Sequence, residues 1–148
     1  MIEVEELAAE RLAEWRDVRN RVDPDDAVEL DFLLHRRERQ PGHRDLLAKL
    51  DGAAAGVGTY SRMIDDPVSP IGQINFRVLR EQRRRGVATA LHGAVSEIAR
   101  AHGDEELEGK VIAPTAETEA YVAARGYRQV QRMIESRFDL GEPPTRAD

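Results

Sequence analysis

Three consecutive arginines, Arg83, Arg84 and Arg85, run into Gly86 and then into an apolar-periodic stretch, Val87 to Ala101. These residue types in this order favour one kind of chemistry, the holding of an anion. Upstream, "GQINFRVL" (Gly72 to Leu79) alternates as a strand, with Ile74, Phe76 and Val78 on one face and Gln73, Asn75 and Arg77 on the other. A strand that turns into a helix presents unpaired backbone N–H groups and the positive end of the helix dipole. Gly86 lets an anion approach the backbone with no Cβ in the way, and Ala88 keeps the next turn open. Flanking guanidiniums add charge-assisted hydrogen bonds worth roughly 1.5–3 kcal/mol each when well made. The ligand that fits such a turn is a pyrophosphate. Two familiar phosphate loops are excluded. A P-loop needs Lys followed by Ser or Thr after its second glycine, a Rossmann fingerprint needs three glycines in an early βαβ unit, and neither is present.

The elements that would position this turn can be read on either side of it. Ala8 to Val22 has helical spacing, with Leu7, Leu12, Trp15 and Val18 or Val22 near one face and Trp15 as core. Asp23-Pro24-Asp25-Asp26 breaks the chain and is suited to cap a second helix running to about Arg39, with Val28, Phe32 and Leu33 directed inward. Pro41-Gly42 ends that helix, and the basic run from His35 to Arg39 suits the negative end of its dipole. Asp45 to Leu50 and Ala53 to Arg62 read as two strands joined by Asp51-Gly52, a type I′ hairpin signal, with Gly56 and Gly58 allowing close backbone approach. Past Val87–Ala101, Gly103 is a C-cap, Leu107 to Ala113 a strand, Glu117 to Arg125 a helix ended by Gly126, and Tyr127 to Leu140 a long last strand. The order predicts one α/β (α+β) domain over residues 1–140, with 141–148 as a tail or linker.

Composition narrows the function classes. The chain has 148 residues, 34% of them charged, a net charge of −6 and no cysteine. Absence of cysteine excludes disulfides and thiolate metal sites and agrees with a reducing, cytoplasmic setting. No apolar run approaches the roughly 20 residues that span a bilayer, and the acidic, amphipathic start does not read as a secretory signal, so no membrane partner is expected. Acidic balance and few aromatics argue against nucleic acid as partner.

Arg83-x-x-Gly86-x-Ala88 matches the pattern [Gln/Arg]-x-x-Gly-x-[Gly/Ala], and here the chain resembles the GNAT superfamily of acyl-CoA N-acyltransferases. "VLREQRRRGVA" is similar to that family's V-x-P-E-Y-R-G-R-G-I-G, with Arg80 where proline is common, and "AYVAARGYRQV" is similar to its "lYeklGF" segment. The resemblance implies a GNAT fold: a mixed, mostly antiparallel central sheet with helices on both faces. It implies acetyl-CoA as cosubstrate, no metal, and acetyl transfer to the primary amine of a small molecule or peptide by direct attack in a ternary complex. Carried onto this sequence, Phe76, Arg77 and Val78 would offer backbone groups to the acetyl carbonyl and pantetheine. Arg84, Arg85, Gly86, Val87, Ala88 and Thr89 would wrap the pyrophosphate, and Arg83 fills the leading position of the motif.

The sequence departs from the family pattern in three places. The tyrosine that often serves as general acid stands four residues before the glycine, a position held here by Val122; Tyr121 is one residue off, about 100° around a helix, and also reads as core. An asparagine common eleven residues before that glycine falls at Thr115, which keeps a hydroxyl and loses the amide. No glutamate lies on Gly72 to Leu79 to act as base, which leaves His35, His43, Asp65, Asp66 or a water ordered by Gln73 and Asn75; each of these side chains also reads as a surface residue. These departures keep a second reading open, a non-catalytic acyl-CoA-binding module or one half of a tandem GNAT protein. The short segment after Gly126 leaves the last sheet edge to be completed by another copy, as a homodimer, or by a second domain. The resemblance also implies that the helices and their connection, "VDPDDAVEL", line the acceptor side. Asp23, Asp25, Asp26 and Glu29 would give that rim a negative potential and steer a cationic amine, unless the aspartates only cap the helix.

Overall fold

Asp51 and Gly52 both take positive φ, 52° and 85°, as a type I′ hairpin demands. They join β2 (Arg44–Leu50) to β3 (Ala53–Arg62). The computed structural model describes residues 1–40, 42–62, 70–109 and 116–128, with backbone only at 117 and 118. Asp65, Asp66, Thr115, the expected last strand beyond residue 128 and the tail 141–148 lie outside the described residues, and so does any pairing of that strand with a second copy.

The sheet has five strands in the order β1-β2-β3-β4-β5, with β1 being Ile2–Leu7, β4 Ile71–Val78 and β5 Glu106–Gly109. β1 to β4 are antiparallel in succession, and β5 runs parallel to β4. This is the mixed, mostly antiparallel sheet the resemblance implied. On one face pack α1 (Leu12–Val22) and α2 (Leu30–Arg39), where Leu12, Trp15, Val18 and Leu33 meet Leu47 and Val57 of the sheet. On the other packs α3 (Val87–Ala101), whose Val87, Leu91, Val95 and Ala99 meet Leu46, Ala48 and Tyr60. Burying each large apolar side chain contributes about 1.5–3 kcal/mol. The Trp15 indole N–H donates to the Gly58 carbonyl at 3.3 Å, so the ring docks α1 on β3 without an unsatisfied donor.

Several expectations need correction. Ile2 to Leu7, to which the sequence patterning assigned no element, is a strand: Ile2 and Val4 pack on the α3 face, while Glu5 and Glu6 reach Arg11 and Arg44. The first helix therefore starts later, after a 3-10 turn at Ala9–Arg11. Asp25 and Asp26 do not cap the second helix; they sit in a 3-10 turn, Pro24–Asp26, and α2 opens four residues on, from Glu29, with no side-chain cap. Phe32, expected inside, is 57% exposed.

β3 also carries a bulge that its residue types do not announce. Ala48 faces Gly56 but Lys49 faces Ala54, so Ala55 is the extra residue. Its carbonyl accepts the Leu79 N–H at 2.9 Å, which ties the end of β4 to β3. Beside it, a Cβ on Gly56 would stand 2.9 Å from the Arg77 carbonyl oxygen and 3.3 Å from Val78 Cα. Both are backbone atoms, which cannot step aside cheaply. Gly56→Ala is therefore expected to destabilise the fold by roughly 1–3 kcal/mol, read as a lowered urea midpoint at constant m-value. A second unit, residues 111–148, contains α4 (Ala116–Ala124), ended by Gly126 at φ +84°. Among the described residues, no helix is long and apolar enough to cross a membrane.

Candidate active site

β4 organises two features, one at its end and one on its face. At its end the chain makes a 3-10 turn (Arg80–Gln82), and Arg83 donates from Nε to the Val78 carbonyl at 3.3 Å, folding the turn back on the strand. Arg84 then takes φ +64° and Gly86 φ +88°. Two left-handed residues separated by one bend the backbone sharply into the start of α3, and turns of this kind can form an anion nest. Gly86 is the N-cap of α3 and brings no side chain to it, and the first helical bond runs from Ala90 N–H to the Gly86 carbonyl at 3.0 Å. The helix start thus carries no side-chain cap, and the positive end of its dipole stands at the turn. Arg83, Arg84, Arg85 and Gly86 are exposed, Ala88 is half-buried, and Val87 is core. The glycine is required for its backbone conformation before it is required for space, since the nearest atom to an added Cβ is Ile2 Cδ1 at 3.5 Å.

Along β4, Phe76, Arg77 and Val78 pair on one edge with Gly58, Val57 and Gly56. β5 pairs only with Ile71 to Ile74. Among the described residues, Asn75 to Val78 carry no ladder on that second edge, which leaves their amides and carbonyls to bind an amide-bearing chain as a strand would. The Phe76 ring itself turns to the α3 face, edge-on to His92 at 6.2 Å.

On the opposite face, between the sheet and α1 and α2, opens a cleft of about 450 Å3. Gln73, Asn75 and Arg77, the polar face read from the sequence, all line it. Of the acidic rim only Asp26 does. Asp25 and Glu29 are exposed and do not line it, and Asp26 is engaged by Arg19, which pairs with its carboxylate at 3.3 Å and also donates to its backbone carbonyl. His35 is exposed on α2 beside Arg39. His43, expected at the surface, is buried in the cleft wall, with Nε2 2.9 Å from Asp45 Oδ1 and Nδ1 2.9 Å from Gln40 Oε1. Both of its ring nitrogens are engaged within the wall, by Gln40 and Asp45.

The cleft holds charged residues that sequence reasoning missed. Arg19 follows Trp15 by four residues and Arg36 follows Phe32 by four, spacings that place each pair on one helix face. All four line the cleft. Arg36 lies over the Trp15 ring at 5.5 Å. Burial pulls the guanidiniums of Arg36 and Arg77 down from their ordinary value, and repulsion from Arg19 pulls both further, while Asp45 beside Arg36 and Asp23 and Asp26 near Arg77 oppose it. Glu108 was also missed. It lines the cleft, exposed, from β5 in register with Gln73, and register partners stand on the same sheet face.

The sequence matches the Acetyltransferase (GNAT) family over residues 4–127. No curated protein matches it significantly. Among solved structures, the fold is similar to that of the aminoglycoside N-acetyltransferase AAC(6')-Iy in complex with the bisubstrate analogue CoA-S-monomethyl-acetylneamine, with a TM-score of 0.74 and 22% identity over 94% of this chain and 99% of that one. It is similar to the aminoglycoside antibiotic 6'-N-acetyltransferase AAC(6')-Ih from Acinetobacter baumannii, at 0.70 and 23% over 95% and 100% of the two chains. A third likeness is to the aminoglycoside acetyltransferase meta-AAC0020 from an uncultured soil metagenomic sample, in complex with sisomicin, at 0.71 and 14% over 95% and 97%. At such identities the likeness is one of fold.

In the second unit, Tyr121 is half-buried on α4 beneath Arg125, whose guanidinium carbon stands 4.2 Å from the ring centre. The Tyr121 hydroxyl is buried and has no hydrogen-bond partner among the described residues. Removing an unsatisfied buried hydroxyl relieves its desolvation cost. Tyr121→Phe is therefore expected to hold or slightly raise the melting temperature and to leave turnover within about twofold of wild type. A large loss of turnover would make the hydroxyl a catalytic acid despite its register.

Proposed function

Since the chain belongs to the GNAT family of acetyltransferases, we propose that it transfers an acetyl group from acetyl-CoA to the primary amine of a small molecule, by direct attack while both are bound. The observation that carries this reading is the double use of β4. Its end turns through two left-handed residues, Arg84 and Gly86, into α3, and among the described residues its second edge has no ladder at Asn75 to Val78, while its polar side chains line a cleft of about 450 Å3 on the α1/α2 face. A cleft of that size suits a small acceptor. That the similar structures include aminoglycoside acetyltransferases, one of them with sisomicin bound, supports a small-molecule amine as the acceptor class.

Acetyl-CoA, when bound, supplies an acetyl group already activated as a thioester. The residues present fit it: Arg84, Arg85 and the amides from Gly86 to Thr89 at the pyrophosphate, and the backbone of Phe76, Arg77 and Val78 along the pantetheine arm. The main task of the protein is then to align amine and thioester, and positioning alone is worth roughly 7–11 kcal/mol. The amine must also lose a proton as its new bond forms. Glu108, at the cleft beside Gln73, is the carboxylate we assign to take it, directly or through a water held by Gln73 and Asn75.

Two measurements check this assignment. Gly86→Glu puts a side chain where φ is +88° and a negative charge into the nest. CoA affinity by calorimetry is expected to fall at least about tenfold, the 1.4 kcal/mol of roughly one charge-assisted hydrogen bond; equal affinity in both proteins would remove the anion site. Glu108→Gln keeps shape and removes the base. Its kcat is expected to fall on the order of 10²-fold with CoA affinity unchanged, and an unaltered kcat would return the role to solvent.

A further inference from the structure

Among the described residues, the cleft lining has the wrong charge for a polycationic acceptor. Three guanidiniums among them line it, those of Arg19, Arg36 and Arg77, against two carboxylates, Asp26 and Glu108. Asp26 is already taken by Arg19 at 3.3 Å. Arg77 donates from Nη1 at 2.6 Å to the side-chain oxygen of Asn75, a neutral partner. Arg36 is less satisfied still. Its Nε and Nη2 are buried with no hydrogen-bond partner among the described residues. Asp45 Oδ1 stands 3.9 Å from Nη2, beyond hydrogen-bond reach, and the carboxylate of Asp45 is engaged by Arg37 at 3.0 Å and by His43 at 2.9 Å. Nε and Nη2 bear the two parallel N–H groups of one guanidinium edge, the edge that grips a carboxylate through two bonds. A buried guanidinium edge left unmade is costly, and folded proteins seldom leave one without a reason.

We infer that the cleft takes an acceptor that carries a carboxylate as well as its amine, with the carboxylate gripped by Arg36 and Arg77 and the amine left toward Gln73 and Glu108. Arg19, neutralised by Asp26, serves to keep the acidic rim from competing for the other two arginines. The occupant is thus an amino acid or a short peptide acting through its own amino group. This deepens the proposed function and rests on it for the identity of the amine as acceptor.

The test separates binding from turnover. Full-length protein saturated with CoA is titrated with the common amino acids and, in parallel, with their carboxamides, which keep the amine and lose the negative charge. At least one amino acid is expected to bind at least about tenfold more tightly than its carboxamide, the scale of one well-made charge-assisted bond. That ratio is expected to fall to near one in Arg36→Gln and in Arg77→Gln, and to fall partly in Arg36→Lys, which keeps the charge without the two-bond edge. Melting curves and circular dichroism establish that each variant is folded, and either arginine variant alone suffices should the other fail to fold. Equal binding of every amino acid and its amide, binding of neither, or a preference unaltered by both variants would overturn the inference. Failure of the proposed function looks different: the amino acid binds with the expected preference, but no acetyl group is transferred to it from acetyl-CoA.

Discussion

A carboxylate without access to water must find hydrogen-bond donors, and Asp45, 1% exposed, draws its partners from two parts of the chain at once. Arg37 from α2 reaches it at 3.0 Å and His43 from the entry to β2 at 2.9 Å, with Arg36 near by at 3.9 Å. Arg37 also donates to the Leu7 carbonyl at 2.9 Å, the last residue of β1. One buried charge therefore fixes how α2 sits against β1 and β2, and so where the cleft has its outer wall. Because Asp45 is shared, it cannot satisfy every guanidinium around it. The unmet hydrogen-bonding capacity of Arg36 follows from the same interaction that holds the helix in place.

Much of this molecule was legible in its sequence, and the illegible parts have physical causes. Period-two alternation placed the two faces of β4, and Asp51-Gly52 announced its turn, because both depend on residues adjacent in the chain. The arginine–glycine turn was legible for the same reason. β1 was not: three glutamates among its six residues give it the composition of a helix, and only pairing with β2 makes it a strand. His43 reads as a surface residue, Arg37 as a helix-end residue and Asp45 as the start of a strand, since nothing local states that they will come together. The bulge at Ala55 is likewise a property of two strands in register and not of either alone. Arg19 and Arg36 lay between these cases. Their four-residue spacing from Trp15 and Phe32 puts them on those residues' helix faces, but Arg36 equally suits the negative end of its helix dipole.

The electrostatics of the cleft also correct an intuition about rims. Asp23, Asp25, Asp26 and Glu29 form an acidic patch in sequence, yet the nearest of them to the cleft is spent on Arg19, and the aspartates of the 3-10 turn otherwise face water. Exposed charges are screened within about a Debye length, whereas the half-buried guanidiniums of Arg36 and Arg77 are screened much less. The interior of the cleft, more than its border, sets the potential a ligand meets on arrival.

β4 separates two kinds of information by geometry. Its backbone edge and the nest at its end are indifferent to what side chains residues 73, 75 and 77 carry, while those side chains, pointing the other way, are the cleft floor. A strand divided in this manner can exchange its cleft-facing residues one at a time with little penalty at the turn that follows it. Such a scaffold would diversify readily, and a chain could come to hold a new amine while its fold remained that of relatives with scarcely a fifth of their residues in common.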